Sequence, residues 1–325
     1  MTMYVSANIG GTWTRVSLAE GNRVIACAKE PTVITGDNTA IPKRIVQLYK
    51  ILSNEYGHNV NGAEKIGISF AGLIVGNGNS AKGIATNICG GLDGNSEIPN
   101  NWLHVDFSSL FDEFADVMIK NDVIAEMLVE HSHGALKGYK HCAYINWGTG
   151  VGAGIIIDGC LLKGKQGFAG HAGHQFVSDE NRIACGCGNI GDLESTIGAR
   201  GVEQKYGIST QELFLRANTG DSSSREITKE LVRHLSRAIF NLLAILDLEA
   251  VCLGGSVFEN DSEKILEMLR KHLNSYSPIF INGVTISKST QSSVASYVSG
   301  FTDLAPKKSI GLWIKNFDKN LCISK

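Results

Sequence analysis

The chain has 325 residues, a formal net charge of −2, 43% hydrophobic residues and 19% charged residues. That length allows one large domain or two of ordinary size, and the balanced charge offers no basic field to nucleic acid. No run of about 18 apolar residues occurs, so no membrane-spanning helix is expected.

The N-terminus, "MTMYVSANIGG", lacks the basic-then-apolar plan of a signal peptide. Eight cysteines lie mostly singly in apolar segments such as "KHCAYIN", the pattern of reduced thiols in a cytoplasmic protein. In chain order, "MYVSANIGGTWTRVSLAEGNRVIA" alternates apolar residues around a Gly-Gly-Thr turn and predicts a hairpin. A helix is expected near Ile41–Tyr56, then a strand at "KIGISFAG", then a loop-rich stretch. "LHVDFSSLFDEFA" reads as a loop entering a helix, "DVMIKND" as a strand end and "VIAEMLVEHSHGALKG" as helical. "CAYINWGTGVGAGIIIDGCLL" repeats the strand, glycine turn and strand about 140 residues after the first hairpin, which predicts a duplicated architecture. "SREITKELVRHLSRAIFNLLAILD" predicts a long amphipathic helix, and "AVCLGGSVFEN" a strand and turn. "DLAPKKSIGLWIKNF" predicts a helix near the end. The boundary between halves is placed at residue 119: an N-terminal α/β domain of residues 1–119, completed by a C-terminal helix at about 303–325, and a C-terminal α/β domain of residues 120–302.

Glycine-rich turns let backbone N–H groups converge on an anion because no Cβ blocks the approach. Gly10, Gly11 and Thr12 form one candidate cradle, and Gly148, Thr149 and Gly150 another. The second fits no dinucleotide fingerprint, since its glycines alternate and a strand pattern follows it. Gly254 and Gly255, in "LGGS", are a third turn, open either to a flat purine or to a plain tight turn. Asn121 and Asp122 follow an apolar strand, where α/β folds collect ligands. Asp122 could accept the proton of an attacking hydroxyl; the plainer reading of the pair is a helix cap. Cys185 and Cys187 alone among the cysteines cluster.

These stretches, with "CGCGNIGDLES" and "HAGH", follow the order seen in the ROK family, and the chain resembles that family over nearly its whole length. The resemblance implies an α/β, actin-like (ribonuclease H-like) ATPase fold with two similar domains around a central cleft. It implies that Asp122 is the catalytic base and that Asn121, Gly72, Thr86, Asn87, His171, His174 and Glu194 contact a sugar. It implies that Gly10, Gly11, Thr12, Gly148, Thr149 and Gly150 hold ATP phosphates, with Asn8 near Mg2+, and that Gly254 and Gly255 meet adenosine. His174, Cys185, Cys187 and Asp192 would hold a structural Zn2+ that pins the loop carrying Glu194; the alternative is a metal-free hairpin with two free thiols.

Three positions depart from the family pattern. Asn8 stands where an aspartate helps hold hydrated Mg2+, His171 where a glutamate accepts from sugar hydroxyls, and Asp192 where a third cysteine completes the metal set. An imidazole at 171 changes the hydrogen-bond demand and leaves room for an N-acetyl carbonyl. The expected function is an ATP-dependent kinase for the 6-hydroxyl of a hexose or N-acetylhexosamine, glucose or N-acetylmannosamine first. Its expected partners are the sugar, ATP and a second copy in a homodimer, with no nucleic acid or membrane. The alternative is a sugar-binding pseudokinase. A repressor is not expected, because the first phosphate loop begins at residue 8 and family repressors place a DNA-reading segment before it.

Overall fold

The structure, a computed structural model, describes residues 3–10, 13–20, 23–33, 35–56, 63–75, 82–84, 105–291 and 322–324. Two compact units emerge: Met1–His133 with Gln291–Lys325, and Gly134–Thr290.

The first unit opens with three strands, β1 (Met3–Ile9), β2 (Trp13–Glu20) and β3 (Arg23–Pro31), paired antiparallel in sequence. Helix α1 (Ala40–Glu55) buries Ile41, Ile45, Leu48, Tyr49 and Leu52, the stripe that three- and four-residue spacing lays along one helix face. There follow β4 (Ala63–Phe70), β5 (Leu73–Val75), β6 (Lys82–Ile84), β7 (Val105–Asp106), β8 (Asp116–Asn121) and α2 (Asp122–His133). The helix expected in "LHVDFSSLFDEFA" is a single 3-10 turn, Ser108–Asp112, because only a few residues separate β7 from β8.

The second unit holds β9 (Cys142–Trp147), β10 (Val151–Ile157), β11 (Cys160–Leu161), α3 (Leu193–Ile197), α4 (Ala199–Tyr206), α5 (Thr210–Thr219), α6 (Ser222–Leu246), β12 (Ala250–Gly254), α7 (Ser256–Glu259), α8 (Ser262–Leu273) and β13 (Thr285–Lys288). Ser209 caps α5 by accepting from Glu212 N, and Asp221 caps α6 by accepting from Ser224 N, so polar residues flank the apolar periods as capping requires. The turn after β12 leads into α7, which the sequence did not foreshadow. Finally β14 (Cys322–Ser324) returns to the first unit.

The first sheet runs β14-β3-β2-β1-β4-β8 and the second β11-β10-β9-β12-β13. In both, an antiparallel three-strand meander is extended from its first strand by two parallel strands: β4 and β8 beside β1, β12 and β13 beside β9. Strands β1 and β9 are almost wholly buried, as expected for central strands covered on both faces. Each sheet has its own apolar core, one around Ile9, Leu18, Ile45 and Phe70, the other around Trp147, Ile197, Leu235 and Leu253.

Two expectations about the domains need amendment. The division falls after His133, not after residue 119, because α2 stays with the sheet it leaves. Its Glu130 Oε1 accepts from Gln291 N at 2.8 Å, and Gln291 Nε2 donates to His133 O at 3.2 Å. Most of the helix expected at about 303–325 lies outside the described residues, but Cys322–Ser324 are a strand, pairing in parallel with the outer edge of β3. The outer edge of β3 offers unpaired N–H and C=O groups, and these three residues pair with them.

Candidate functional site

In the first unit the parallel register aligns the carboxyl ends of three strands. Ile9 faces Phe70, and Phe70 faces Asn121. Asn8, Gly10, Gly72, Asn121 and Asp122 therefore share one sheet edge, where open α/β sheets collect ligands. Gly11, Thr12, Thr86 and Asn87 lie outside the described residues.

The polar side chains of this edge are tied into it. Asn8 is buried; its Nδ2 donates to Ser69 Oγ at 3.1 Å, and its Oδ1 accepts from Arg15 Nη1 at 3.4 Å. Because guanidinium only donates, the amide oxygen must be the end facing Arg15. Thr32 Oγ1 donates to Gly10 O at 2.8 Å. Asn121 Nδ2 donates to Gly72 O at 3.1 Å, while its Oδ1 accepts from Val123 N and Ile124 N at 3.1 and 3.2 Å. Asn121 thus caps α2, the plainer role open to it, and also fixes the loop after β4. Asp122, half-buried, is the first residue of α2 and accepts from Val123 N through Oδ1 at 2.9 Å.

In the second unit the Gly148–Gly150 turn leaves the end of β9, and Gly254 pairs with Asn146 on the adjacent strand, so two expected nucleotide turns share an edge. The first is held from behind by a strap of residues 194–200. Trp147 Nε1 donates to Ile197 O at 2.8 Å, Ala199 N to Gly148 O at 3.0 Å and Arg200 N to Thr149 O at 3.3 Å. The last two donors open α4, where backbone N–H groups have no partner within the helix. Val151 N donates to Glu194 Oε2 at 2.9 Å, and Gly148 N to Gly150 O at 3.0 Å. The N–H groups of Thr149 and Gly150, with the exposed Thr149 hydroxyl, are what this turn can offer an anion. Nothing in residue type announces the strap, apart from the indole of buried Trp147, whose N–H needs a partner.

Residues 171–194 bring His171, His174, Cys185, Cys187, Asp192 and Glu194 together. Phe176 bridges to Asp192 and Ala184 to Ile190, closing the hairpin around the two cysteines. His174 Nδ1 lies 3.1 Å from Asp192 Oδ2 and 3.7 Å from Cys185 Sγ, and Cys187 Sγ lies 3.5 Å from Asp192 Oδ2. One ligand atom from each of the four residues falls within 4.8 Å of the others. Atoms bonded at about 2.0–2.3 Å to a tetrahedral zinc stand about 3.3–3.8 Å apart, so the donor set fits that ion. Asp192 is fully buried and two-sided: Oδ2 faces the cluster while Oδ1 accepts from Ser195 N at 2.9 Å and caps α3. Buried Asn181 donates to Ser195 Oγ and Thr196 Oγ1 at 3.1 and 3.2 Å, locking the hairpin to α3.

The charges follow from this packing. The hydrogen bond to Asp192 holds His174 above the ordinary imidazole range; burial opposes, and the Glu194 and Asp192 charges add. Burial works against an ionised Asp192, but hydrogen bonds from His174 and Ser195 outweigh it and lower its pKa. Burial pushes the Cys185 thiol far up, so in the metal-free chain it keeps its proton and donates to Glu194 Oε1 at 3.3 Å. His171 is lowered, first by burial and then by the charge of His174. Its ring centroid stands 6.3 Å from Phe168 and 6.0 Å from His174.

The model of a family described as the ROK family matches residues 4–307. A glucokinase of Aeropyrum pernix is 26% identical over 303 residues, covering 86% of this chain and 89% of that protein. An N-acetylmannosamine kinase of Salmonella typhi is 28% identical over 277 residues, covering 83% and 87%. Among solved structures, a ROK hexokinase from Thermus thermophilus superposes with a TM-score of 0.70 at 24% identity, covering 92% of this chain and 96% of that one. A ROK family transcriptional regulator, a homologue of the E. coli MLC protein, superposes with a TM-score of 0.73 at 18% identity, covering 97% and 80%. The fold is the actin-like α/β fold of these proteins.

Proposed function

The chain belongs to the ROK family, and on that premise we propose that it is a sugar kinase transferring the terminal phosphoryl group of ATP to the 6-hydroxyl of a hexose or N-acetylhexosamine. Glucose and N-acetylmannosamine are the first substrates to test, since the relatives above carry those activities in their names.

The observation that carries the reading is Asp122. It stands half-buried where β8 ends and α2 begins, at an edge shared with Asn8, Gly10 and Gly72. One carboxylate oxygen is fixed by Val123 N–H, which sets the orientation of the group. The carboxylate accepts the proton of the sugar hydroxyl as that oxygen forms its bond to phosphorus and ADP leaves. Phosphoryl transfer passes through a loose transition state, so this modest base assistance together with positioning suffices. Thr149 and Gly150 N–H groups receive the phosphates, and the turn at Gly254–Gly255 receives the adenosine. His174 and Glu194 orient the ring, and neutral His171 presents one donor and one acceptor to it.

His174, Cys185, Cys187 and Asp192 would hold zinc as a structural ion that fixes the hairpin. With Nδ1 of His174 facing that cluster, Nε2 is the nitrogen left for the sugar. Bound to that ion, Cys185 would have no proton to donate, and Glu194 Oε1 would be left to accept from a sugar hydroxyl. Elemental analysis of the purified, zinc-reconstituted protein should find one zinc per chain, lost in Cys185→Ser. Equal zinc in wild type and variant would remove the ion from the hairpin.

Coupled ADP release over a panel of hexoses and N-acetylhexosamines tests the main reading. Sugar-stimulated turnover that disappears in Asp122→Asn supports it. The second reading, a sugar sensor without turnover, draws on Asn8, whose uncharged amide oxygen accepts from Arg15 Nη1 and lacks the negative charge of a carboxylate toward a hydrated metal ion. A sugar-dependent thermal shift with no ADP release would establish the sensor and end the kinase.

A further inference from the structure

We infer that Glu194 is a positioning residue for the phosphate turn, in addition to any contact with sugar. The inference rests on the reading of Gly148–Gly150 as a phosphate turn.

The carboxylate touches two places. Oε2 accepts from Val151 N at 2.9 Å, directly after the turn, and Oε1 receives the Cys185 thiol at 3.3 Å. Its own backbone carbonyl accepts from Gly198 N at 2.9 Å, which starts the strap whose next two N–H groups hold Gly148 O and Thr149 O. The same residue therefore anchors the turn at both ends, by its side chain at Val151 and through the strap at Gly148. Gly150 completes the fit. A Cβ there would lie 2.3 Å from Glu194 Oε2, so only a glycine lets the carboxylate lie across the turn.

An anion site works when its N–H groups already point inward before the ligand arrives. Fixing Val151 N–H on a carboxylate and the two carbonyls on α4 leaves the intervening peptide units turned outward toward an anion. The carboxylate also has a cost, since a negative charge beside a phosphate site repels its ligand. Geometry and charge thus pull in opposite directions, and two substitutions separate them. Glu194→Gln removes the charge and keeps an acceptor for Val151 N–H. Glu194→Ala removes both.

The measurement is the Kd of magnesium ADP in the absence of sugar, by isothermal titration of the full chain. Glu194→Gln should bind as tightly as wild type or more tightly, and Glu194→Ala about tenfold more weakly, as expected for loss of a charge-assisted hydrogen bond. Amide exchange at Val151 should rise in the alanine variant only. Should Glu194→Ala prove too unstable to titrate, Gly150→Ala displaces the carboxylate with its charge intact, and it should speed exchange at Val151. Glu194→Ala matching Glu194→Gln in Kd, or altering sugar affinity alone, overturns the inference and leaves the kinase reading standing. A wild type that binds no magnesium ADP overturns the phosphate turn itself, and the positioning role with it.

Discussion

The carboxyl edges of the two sheets share a strand order but are finished by different chemistry. In the first, side chains satisfy the edge: Asn8 on Ser69 and Arg15, Thr32 on Gly10, Asn121 on Gly72 and on the start of α2. In the second, the work is done by backbone N–H groups of α4, one indole and one carboxylate, gathered behind a turn that carries almost no side chain. A network of side chains can orient one charged group, which suits a base at Asp122. A glycine turn buttressed from behind can present peptide dipoles, which suits phosphate. The duplicated plan thus supplies two frames, and on the reading proposed above the residues at the strand ends set the task of each.

Substitutions at three positions test that division of labour, in falling order of effect. Asp122→Asn should lower kcat by about 100-fold or more, the range for a lost general base, while magnesium ADP binds as in wild type. Weakened nucleotide binding in this variant would break the division. Gly173→Ala tests the second edge. Its methyl would fall 1.9 Å from Val151 O and 2.9 Å from Val151 C, backbone atoms that cannot swing aside. Chemical denaturation should show a loss of about 1–3 kcal/mol, the usual cost of overpacking; unchanged stability would mean that the hairpin is not pressed against β10. Asn121→Ala tests the first edge and should cost about 1 kcal/mol, the worth of a helix cap. Asn121→Asp, which keeps the capping oxygen, should recover most of it. If the alanine variant loses sugar affinity with no loss of stability, Asn121 serves the ligand more than the helix.

What could be read in advance followed residue type. The two hairpins, α1 and α6 were legible in their apolar periods, and α8 was open to the same reading through Ile265, Leu266, Leu269 and Leu273. Cys185 and Cys187 were legible as a cluster, whereas His174 and Asp192 joined them only through the family resemblance; the structure brings one ligand atom of each within 4.8 Å. The Asn121–Asp122 pair was legible only as an ambiguity, since a cap and a catalytic acid leave the same letters. The strap was hidden altogether. Bonds from Ala199 and Arg200 N–H to Gly148 and Thr149 carbonyls use groups that every residue carries, and no letter in the sequence records them. The unit boundary was missed for a related reason. The contact between Glu130 and Gln291 joins positions 161 residues apart, beyond the reach of any local pattern.

Strand β14 has a consequence for biosynthesis. Five of the six strands in its sheet are translated by residue 121, yet the outermost partner of β3 is contributed by residues 322–324. The interrupted unit must therefore wait, one edge unsealed, while the continuous unit at 134–290 emerges and collapses as an uninterrupted stretch of nascent chain. A ribosome stalled late, or a bulky fusion grafted onto the final residues, would strand the earliest-made half short of its closing strand.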